Sequence, residues 1–318
     1  MENETIENLR DDHALDERKR KKKKRLRIVL IVVGIILAVV AYFVLSFFFA
    51  ARNAFEEMYR PFGDDVVNMR EETGELELGD DPFSVLILGL DEGRTDSIMV
   101  ATVNPNLGTT YLLSLARDTM VDIPGFGVTR INHAYAYGGL DLAVNTVQDF
   151  LDIPIDYHAT LDMDYFYLLV NAFGGLRVYN NTVEFSMYGH HFPLGYIDLT
   201  GEAAYFYVRM RMDDPRGDYG RQERQRDVLG AMANELAGVT VITRYQQILD
   251  SVGEAMQTNV SLNEMMTISM NYNTALRNIT NLDLHEFGQI INGMYLIPIP
   301  EERRLEMSQR LRAHLELD

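Results

Sequence analysis

The chain has 318 residues, 29 Lys+Arg against 47 Asp+Glu, a formal net charge of −18 and no cysteine. Without cysteine there is neither a disulfide framework nor a thiolate metal site. The acid excess excludes the wide basic surface that grips a nucleic-acid backbone, so no nucleic-acid partner is expected.

The first segment, residues 1–27, ends in the basic run Arg18-Lys19-Arg20-Lys21-Lys22-Lys23-Lys24-Arg25-Leu26-Arg27. Every lysine of the chain lies in it. Ile28 to Ala51 carries no charge and is long enough to cross a bilayer as one helix. A cleaved signal peptide is the competing reading, but its apolar region normally runs only about 7–15 residues. Positive flanks stay cytoplasmic, so the N-terminus is expected inside and the rest outside the cell membrane, as a single-pass protein. Residues 52–80 are polar and acidic, with Pro61, Gly63, Gly74 and Gly79. They read as a stalk ahead of a packed domain over 81–318.

Within that domain, Phe83 to Leu90 reads as a buried strand, Ser97 to Val103 as a second and Thr110 to Leu115 as a third. Asn104 to Gly108 forms the turn between the last two. Leu140 to Leu151 repeats apolar residues at helical spacing. Tyr157 to Leu161 is a short strand, and Asp164 to Phe173 a helix stopped by Gly174-Gly175. Ala203 to Arg211 fits either helix or strand. Helices are expected at Gln222 to Leu236, Ala231 to Ala255, Leu262 to Leu276 and Leu305 to Leu317. Strands interleaved with helices argue for an α/β domain with a layered sheet.

Three clusters carry chemistry. Asp91-Glu92-Gly93-Arg94-Thr95-Asp96 joins two strands, and its carboxylates flank a glycine bend. They can share one hard cation, or simply form an acidic turn. Arg117-Asp118 ends the third strand, where an arginine reaches a strand-end crevice or makes a structural ion pair. The third cluster gathers Arg209, Arg211, Arg216, Arg221, Arg224 and Arg226 in an otherwise acidic region. A guanidinium fork matches phosphate oxygens bidentately, so the run points to a phosphate or pyrophosphate; pairing with local carboxylates is the alternative. Arg209 and Arg211 face one way if that segment is extended. Arg221 and Gln225 share a helix face, and the opening of that helix offers backbone N–H groups to an anion.

Taken in order, Leu88-Gly89-Leu90-Asp91, Arg94-Thr95-Asp96-Ser97, Ser114-Leu115-Ala116-Arg117-Asp118, Ile131-Asn132-His133-Ala134-Tyr135, Phe173-Gly174-Gly175, Tyr207-Val208-Arg209-Met210-Arg211 and Gly217 through Gln225 resemble the LytR–CpsA–Psr family. Ala116 departs from the proline common there, and the loop from Asp91 to Asp96 is short. The resemblance implies an α/β/α sandwich around a central mixed β-sheet, preceded by one transmembrane helix. It implies a transferase that moves an anionic glycopolymer, of teichoic acid or capsular polysaccharide type, from a polyprenyl-pyrophosphate-linked glycan donor to a peptidoglycan acceptor. The muramic acid 6-hydroxyl would attack, and polyprenyl phosphate would leave. Carried over, Asp91 and Asp96 hold Mg²⁺, and Arg94, Arg117, Arg209, Arg211, Arg221 and Gln225 bind the pyrophosphate. Asp96, Arg117 and Asp218 are the expected catalytic residues, Asp218 as the base. Phe166, Leu168, Leu169, Val170, Phe173, Tyr205 and Phe206 are candidates for an isoprenoid groove, or are ordinary core. His133 reads as structural rather than as a metal ligand. Hydrolysis of the same pyrophosphate, or a non-catalytic envelope regulator, are the alternatives.

Overall fold

The computed structural model describes residues 41–42, 45–91, 93–236 and 240–317. The basic tail and most of the expected span over 28–51 lie outside the described residues. Among the described residues no helix is long and apolar enough to cross a membrane. The chain divides into two compact units, Met1–Ala51 and Arg52–Asp318. In the first, residues 45–51 are helical. All that follows concerns the second.

Its centre is a mixed sheet. Strands β1 (Phe83–Asp91), β2 (Arg94–Asn104) and β3 (Thr109–Leu115) form an antiparallel meander. A later strand, β6 (Tyr157–Asp162), lies parallel to β1, and β12 (Ile279–Asp283) lies parallel to β3. A short β11 (Met256–Thr258) closes the β6 edge antiparallel. The order is β11-β6-β1-β2-β3-β12.

Period-two alternation sends Leu86, Leu88, Ile98, Val100, Leu113 and Leu115 to one face. There they meet Val144, Val147 and Leu151 of α3 (His133–Leu151) and Leu311 of α10 (Glu301–His314). The other face offers Met99, Ala101 and Leu112 to Leu229 of α6 (Asp218–Leu236). Both faces are covered, which is why β1 reads as a nearly unbroken apolar run. A second core joins α4 (Met163–Phe173) and α5 (Gly201–Arg209) to Val228 of α6. This is the layered helix–sheet–helix arrangement expected.

Several elements differ from the sequence reading. Helix α3 starts at His133, not near Leu140, and kinks where Gly138 and Gly139 leave helical geometry (φ −145° and 67°). Ala203–Arg211 resolves into α5, capped by the Thr200 hydroxyl and ended at Arg209. The segment expected to be one helix over Leu262–Leu276 is two, α8 (Leu262–Asn271) and α9 (Asn273–Arg277). Tyr272 breaks them. Its ring is fully buried against Phe83, and its hydroxyl donates to the Asp81 carbonyl at 2.7 Å. The expected helix over 231–255 is the end of α6 and then α7 (Thr240–Ala255), with residues 237–239 outside the described set.

Residues 52–80 lie along the domain and are tied to it. The Gly63 and Val67 amides donate to Asp141 and Asn145 of α3 at 3.1 and 2.9 Å. Arg70 forks onto Asp156 at 2.6 and 2.9 Å.

Candidate active site

The β1–β2 hairpin positions the two carboxylates. Gly89 and Leu90 are consecutive on β1, yet their partners Ser97 and Thr95 skip Asp96. The extra residue is a β-bulge, a device that re-aims a side chain. In an unbroken strand Asp96 and Ser97 would face opposite ways; here both line one cavity of about 310 Å³, together with Gly89 and Asp91.

The arginines arrive from two other elements. Arg209 ends α5, Met210 is extended (φ −61°, ψ 133°) and buried, and Arg211 follows. The buried methionine turns the backbone so that both flanking arginines line the cavity. Arg117 comes from the end of β3, and Arg221 and Gln225 from one face of α6. An apolar wall from Met163, Met187 and Val208 stands beside them.

Each carboxylate holds a guanidinium. Arg209 forks onto Asp91 at 2.8 and 2.7 Å, and its Cζ lies 4.6 Å from the Tyr205 ring centroid, with a further hydrogen bond to the Tyr205 hydroxyl. Arg117 Nη1 donates to Asp96 Oδ1 at 2.7 Å. Arg221 reaches the Asp96 carbonyl at 3.0 Å and its Oδ2 at 3.5 Å. Burial pulls the Arg221 guanidinium below its ordinary value, and the nearby Arg117 and Arg211 charges add to that, while Asp218 and Asp96 oppose it. Burial also opposes the charge on Arg117, but the hydrogen bond and charge of Asp96, with Asp118 and Asp218, raise it overall. Both remain cations at neutral pH. The Nε atoms of Arg117 and Arg221 and the Oε1 of Gln225 are buried without a hydrogen-bond partner. Such groups are costly unless a ligand or water meets them.

Asp91, Asp96, Arg117, Arg209, Arg211, Arg221 and Gln225 therefore converge as expected. Arg94 does not. It is exposed at the solvent end of the hairpin, where its charge depresses His133 protonation behind burial and Arg130. Asp218 also stays off the cavity wall. One of its oxygens lies 2.6 Å from Arg221 Nη2, and the other accepts from Gln222 at 3.1 Å, which makes it a holder of Arg221. Of the first turn of α6 only Arg221 lines the cavity, and the Tyr219 and Arg221 amides donate to the Arg216 and Gly217 carbonyls at 3.2 and 3.3 Å. Phe166, Leu169, Val170 and Phe173 are closed core at 2%, 1%, 0% and 4% exposure and do not line the cavity, whose apolar wall comes from the buried Met163 and Val208 and the half-buried Met187 instead.

The structural ion pair offered for Arg117-Asp118 is present beside the cavity role of Arg117: the Asp118 carboxylate lies 3.8 Å from Arg117 and 3.2 Å from Arg130. Sequence reasoning missed Tyr205 as the support of Arg209, although their four-residue spacing on a helix signals contact.

The remaining arginines build the frame. Arg224 is fully buried and donates to Asp214 at 2.7 Å, to the Tyr207 carbonyl at 3.1 Å and to the Met210 carbonyl. Asp214 in turn accepts from the Arg216 amide at 2.9 Å. Gly220 makes room for this pair: a Cβ there would stand 1.7 Å from Asp214 Oδ2. Gly220→Ala is therefore expected to destabilise the domain by about 3 kcal/mol through the displaced pair, read by denaturant unfolding. A loss below about 0.5 kcal/mol would show that the pair can move aside.

This is a three-layer α/β/α protein whose strand ends open on a cavity lined by four arginines. The chain belongs to the LytR_cpsA_psr family, which matches residues 45–313. It is 39% identical over 290 residues to the polyisoprenyl-teichoic acid–peptidoglycan teichoic acid transferase TagU of Halalkalibacterium halodurans, covering 88% of this chain and 94% of that protein. TagU of Enterococcus faecalis is 42% identical over 244 residues, covering 74% of this chain and 80% of that protein. Among solved structures, Bacillus subtilis TagU superposes with a TM-score of 0.62 at 36% identity, covering 75% of this chain and 98% of that one. TagT bound to LIIa-WTA superposes with a TM-score of 0.66 at 29% identity, covering 79% and 100%.

Proposed function

We propose that this chain transfers an anionic glycopolymer of the teichoic acid type from a polyprenyl-pyrophosphate carrier to peptidoglycan. The observation that carries the reading is the convergence of Arg117, Arg209, Arg211 and Arg221 on a cavity that also has an apolar methionine wall. Such a cavity suits a ligand that is a pyrophosphate at one end and a lipid at the other. TagU relatives carry the matching activity in their names.

In the proposed reaction the muramic acid 6-hydroxyl attacks the sugar-linked phosphorus, and its proton passes to the leaving phosphate. The bond from that phosphorus to the bridging oxygen breaks, and polyprenyl phosphate leaves. Negative charge grows on the bridging oxygen and the leaving phosphate. Fixed guanidinium donors favour that growth because they are aimed before it happens. Arg209 and Arg117 are held by Asp91 and Asp96, so little reorganisation is needed.

Asp91 and Asp96 also fit Mg²⁺. They are hard oxygen donors on one cavity, and Mg²⁺ commonly takes one or two carboxylates and completes its shell with phosphate and water. Among the described residues there is no group of three or more metal-ligating side chains, so a bound ion would depend on the substrate phosphates. When bound it would supply a Lewis acid that neutralises phosphate charge. The apolar run over 28–51 and its basic flank support a membrane anchor, with the N-terminus cytoplasmic and the domain outside.

The test incubates the purified protein with a synthetic lipid-pyrophosphate glycan and peptidoglycan oligomers, and reads products by mass spectrometry. A phosphodiester-linked glycan–peptidoglycan product is expected. Chelation of divalent ions should reduce it to background, and Mg²⁺ should restore it. Polyprenyl phosphate without coupled product would replace transfer by hydrolysis. Turnover indifferent to chelation would remove the metal.

A further inference from the structure

A second cavity, of about 220 Å³, opens on a different face of α6. The first cavity takes Arg221 and Gln225; the second takes Gln222, Glu223 and Arg226, and is closed from the sheet side by Ser114 of β3 and by Asn281 and Asp283 of β12. No role in the transfer reaction above calls on it.

Its chemistry differs from the first. Arg216 is neutralised by Glu223 at 2.5 Å, and Asp283 faces Arg226 across the same space, so formal charges cancel. Amide donors and acceptors (Gln222, Asn281) stand beside carboxylate acceptors and guanidinium donors. Arg226 is fixed through Nη1 to the Ser114 hydroxyl at 2.9 Å, while its Nε is buried without a partner. A net-neutral wall that alternates donors and acceptors matches a polyhydroxylated ring, whose hydroxyls do both. It does not favour a polyanion.

Aromatic rings continue from this cavity outward. Tyr219 and His285 have centroids 3.3 Å apart, and His285 and Phe287 5.8 Å apart. Phe287 is 89% exposed. A lone exposed phenyl is ordinary; one that extends a ring series from a polar cavity offers an apolar face for a sugar ring to stack on. The support is rigid. The Tyr219 hydroxyl donates to the Glu286 carbonyl at 2.7 Å and accepts from its amide at 3.1 Å, and Arg303 holds the Glu286 carboxylate at 2.7 Å. Gln222 also donates to Asp218, which holds Arg221 in the reaction cavity.

We propose that this second cavity and Phe287 form a saccharide subsite for the acceptor, an uncharged strand of N-acetylated amino sugars. The proposal rests on the transfer reading for its assignment to the acceptor. The absence of net charge is what favours the acceptor over the anionic donor polymer.

The test titrates full-length protein in detergent with N-acetylglucosamine oligomers, and separately with a soluble phosphodiester-linked glycan fragment. Phe287→Ala and Asn281→Ala, both exposed, should each weaken the amino-sugar oligomer about tenfold, the size of one lost packing or hydrogen-bonding contact. The KM for peptidoglycan should rise by the same factor, with the KM for the lipid-linked donor unchanged. Unaltered oligomer affinity in both variants overturns the subsite. So does a phosphodiester fragment that binds more tightly with the same variant dependence, which would hand the cavity to the donor. Oligomer binding weakened by the variants in a protein that makes no coupled product would keep the subsite and sink the transfer reading. Coupling with an unchanged acceptor KM in both variants would do the reverse.

Discussion

Arg209→Ala is expected to lower the turnover of glycan transfer about a thousandfold while leaving the domain folded. One preorganised donor removed from a developing oxyanion typically costs a factor of 10²–10³. Arg209 does more than donate. Its fork is matched to Asp91, and the Tyr205 ring backs it. Removing it also leaves the Asp91 carboxylate, 11% exposed, facing an incoming phosphate. Arg209→Lys keeps the charge but not the planar fork, so it should recover only about tenfold of the loss. Single-turnover rates with saturating donor separate chemistry from binding. Full activity in the lysine variant would mean that a point charge suffices and that the fork geometry is incidental. An unfolded alanine variant, seen by circular dichroism, would mean that Arg209 is structural.

The sequence made the participants visible but not their division of labour. The arginine run, the acidic bend after a buried strand and the arginine ending the third strand were all legible, because charged residues at strand ends stand out against apolar runs. The bulge at Asp96 was not. It depends on pairing between two strands, and nothing in a single strand marks which residue is skipped. The run itself split three ways. Arg209, Arg211 and Arg221 turn to the cavity, Arg216 and Arg224 pair with Asp214, as the alternative reading allowed, and Arg226 bonds to the Ser114 hydroxyl. Met210 is buried between Arg209 and Arg211, and burial of one methionine is a tertiary fact. Asp218 could have been placed better. Its spacing from Arg221 is i, i+3 on a helix, which already argued for a partner of Arg221 over a free base. The apolar candidates on α4 failed for a related reason: helical periodicity marks a face that is buried but does not say whether core or ligand covers it. The edge strand β12 was missed because only Leu282 along it is buried.

Asp214→Ala should have the largest effect on stability. Asp214 and Arg224 are 1% and 0% exposed, paired at 2.7 Å. Removing one partner of a buried pair strands the other charge and costs about 3–5 kcal/mol. For a domain of this size that is roughly a 10 °C fall in Tm. The pair also positions catalysis, because Arg224 holds the Met210 carbonyl between the two cavity arginines. Activity at a temperature where the variant is still folded should therefore drop as well. The pH dependence has a defined sign. Burial works against the Asp214 carboxylate, but the hydrogen bond and charge of Arg224, with the Arg216 amide, hold its pKa below the ordinary value. A depressed carboxyl stabilises the fold above its unfolded value near pH 4, and that stabilisation is lost as pH falls through the lower folded value. Asp214→Asn, which keeps the shape and removes the charge, should match the wild type only at the acid end, fall behind it as pH rises from the lower folded value to about 4, and trail it by a constant amount above that. A constant stability difference between the two from pH 3 to 7 would show that the carboxylate contributes shape and hydrogen bonds but no charge.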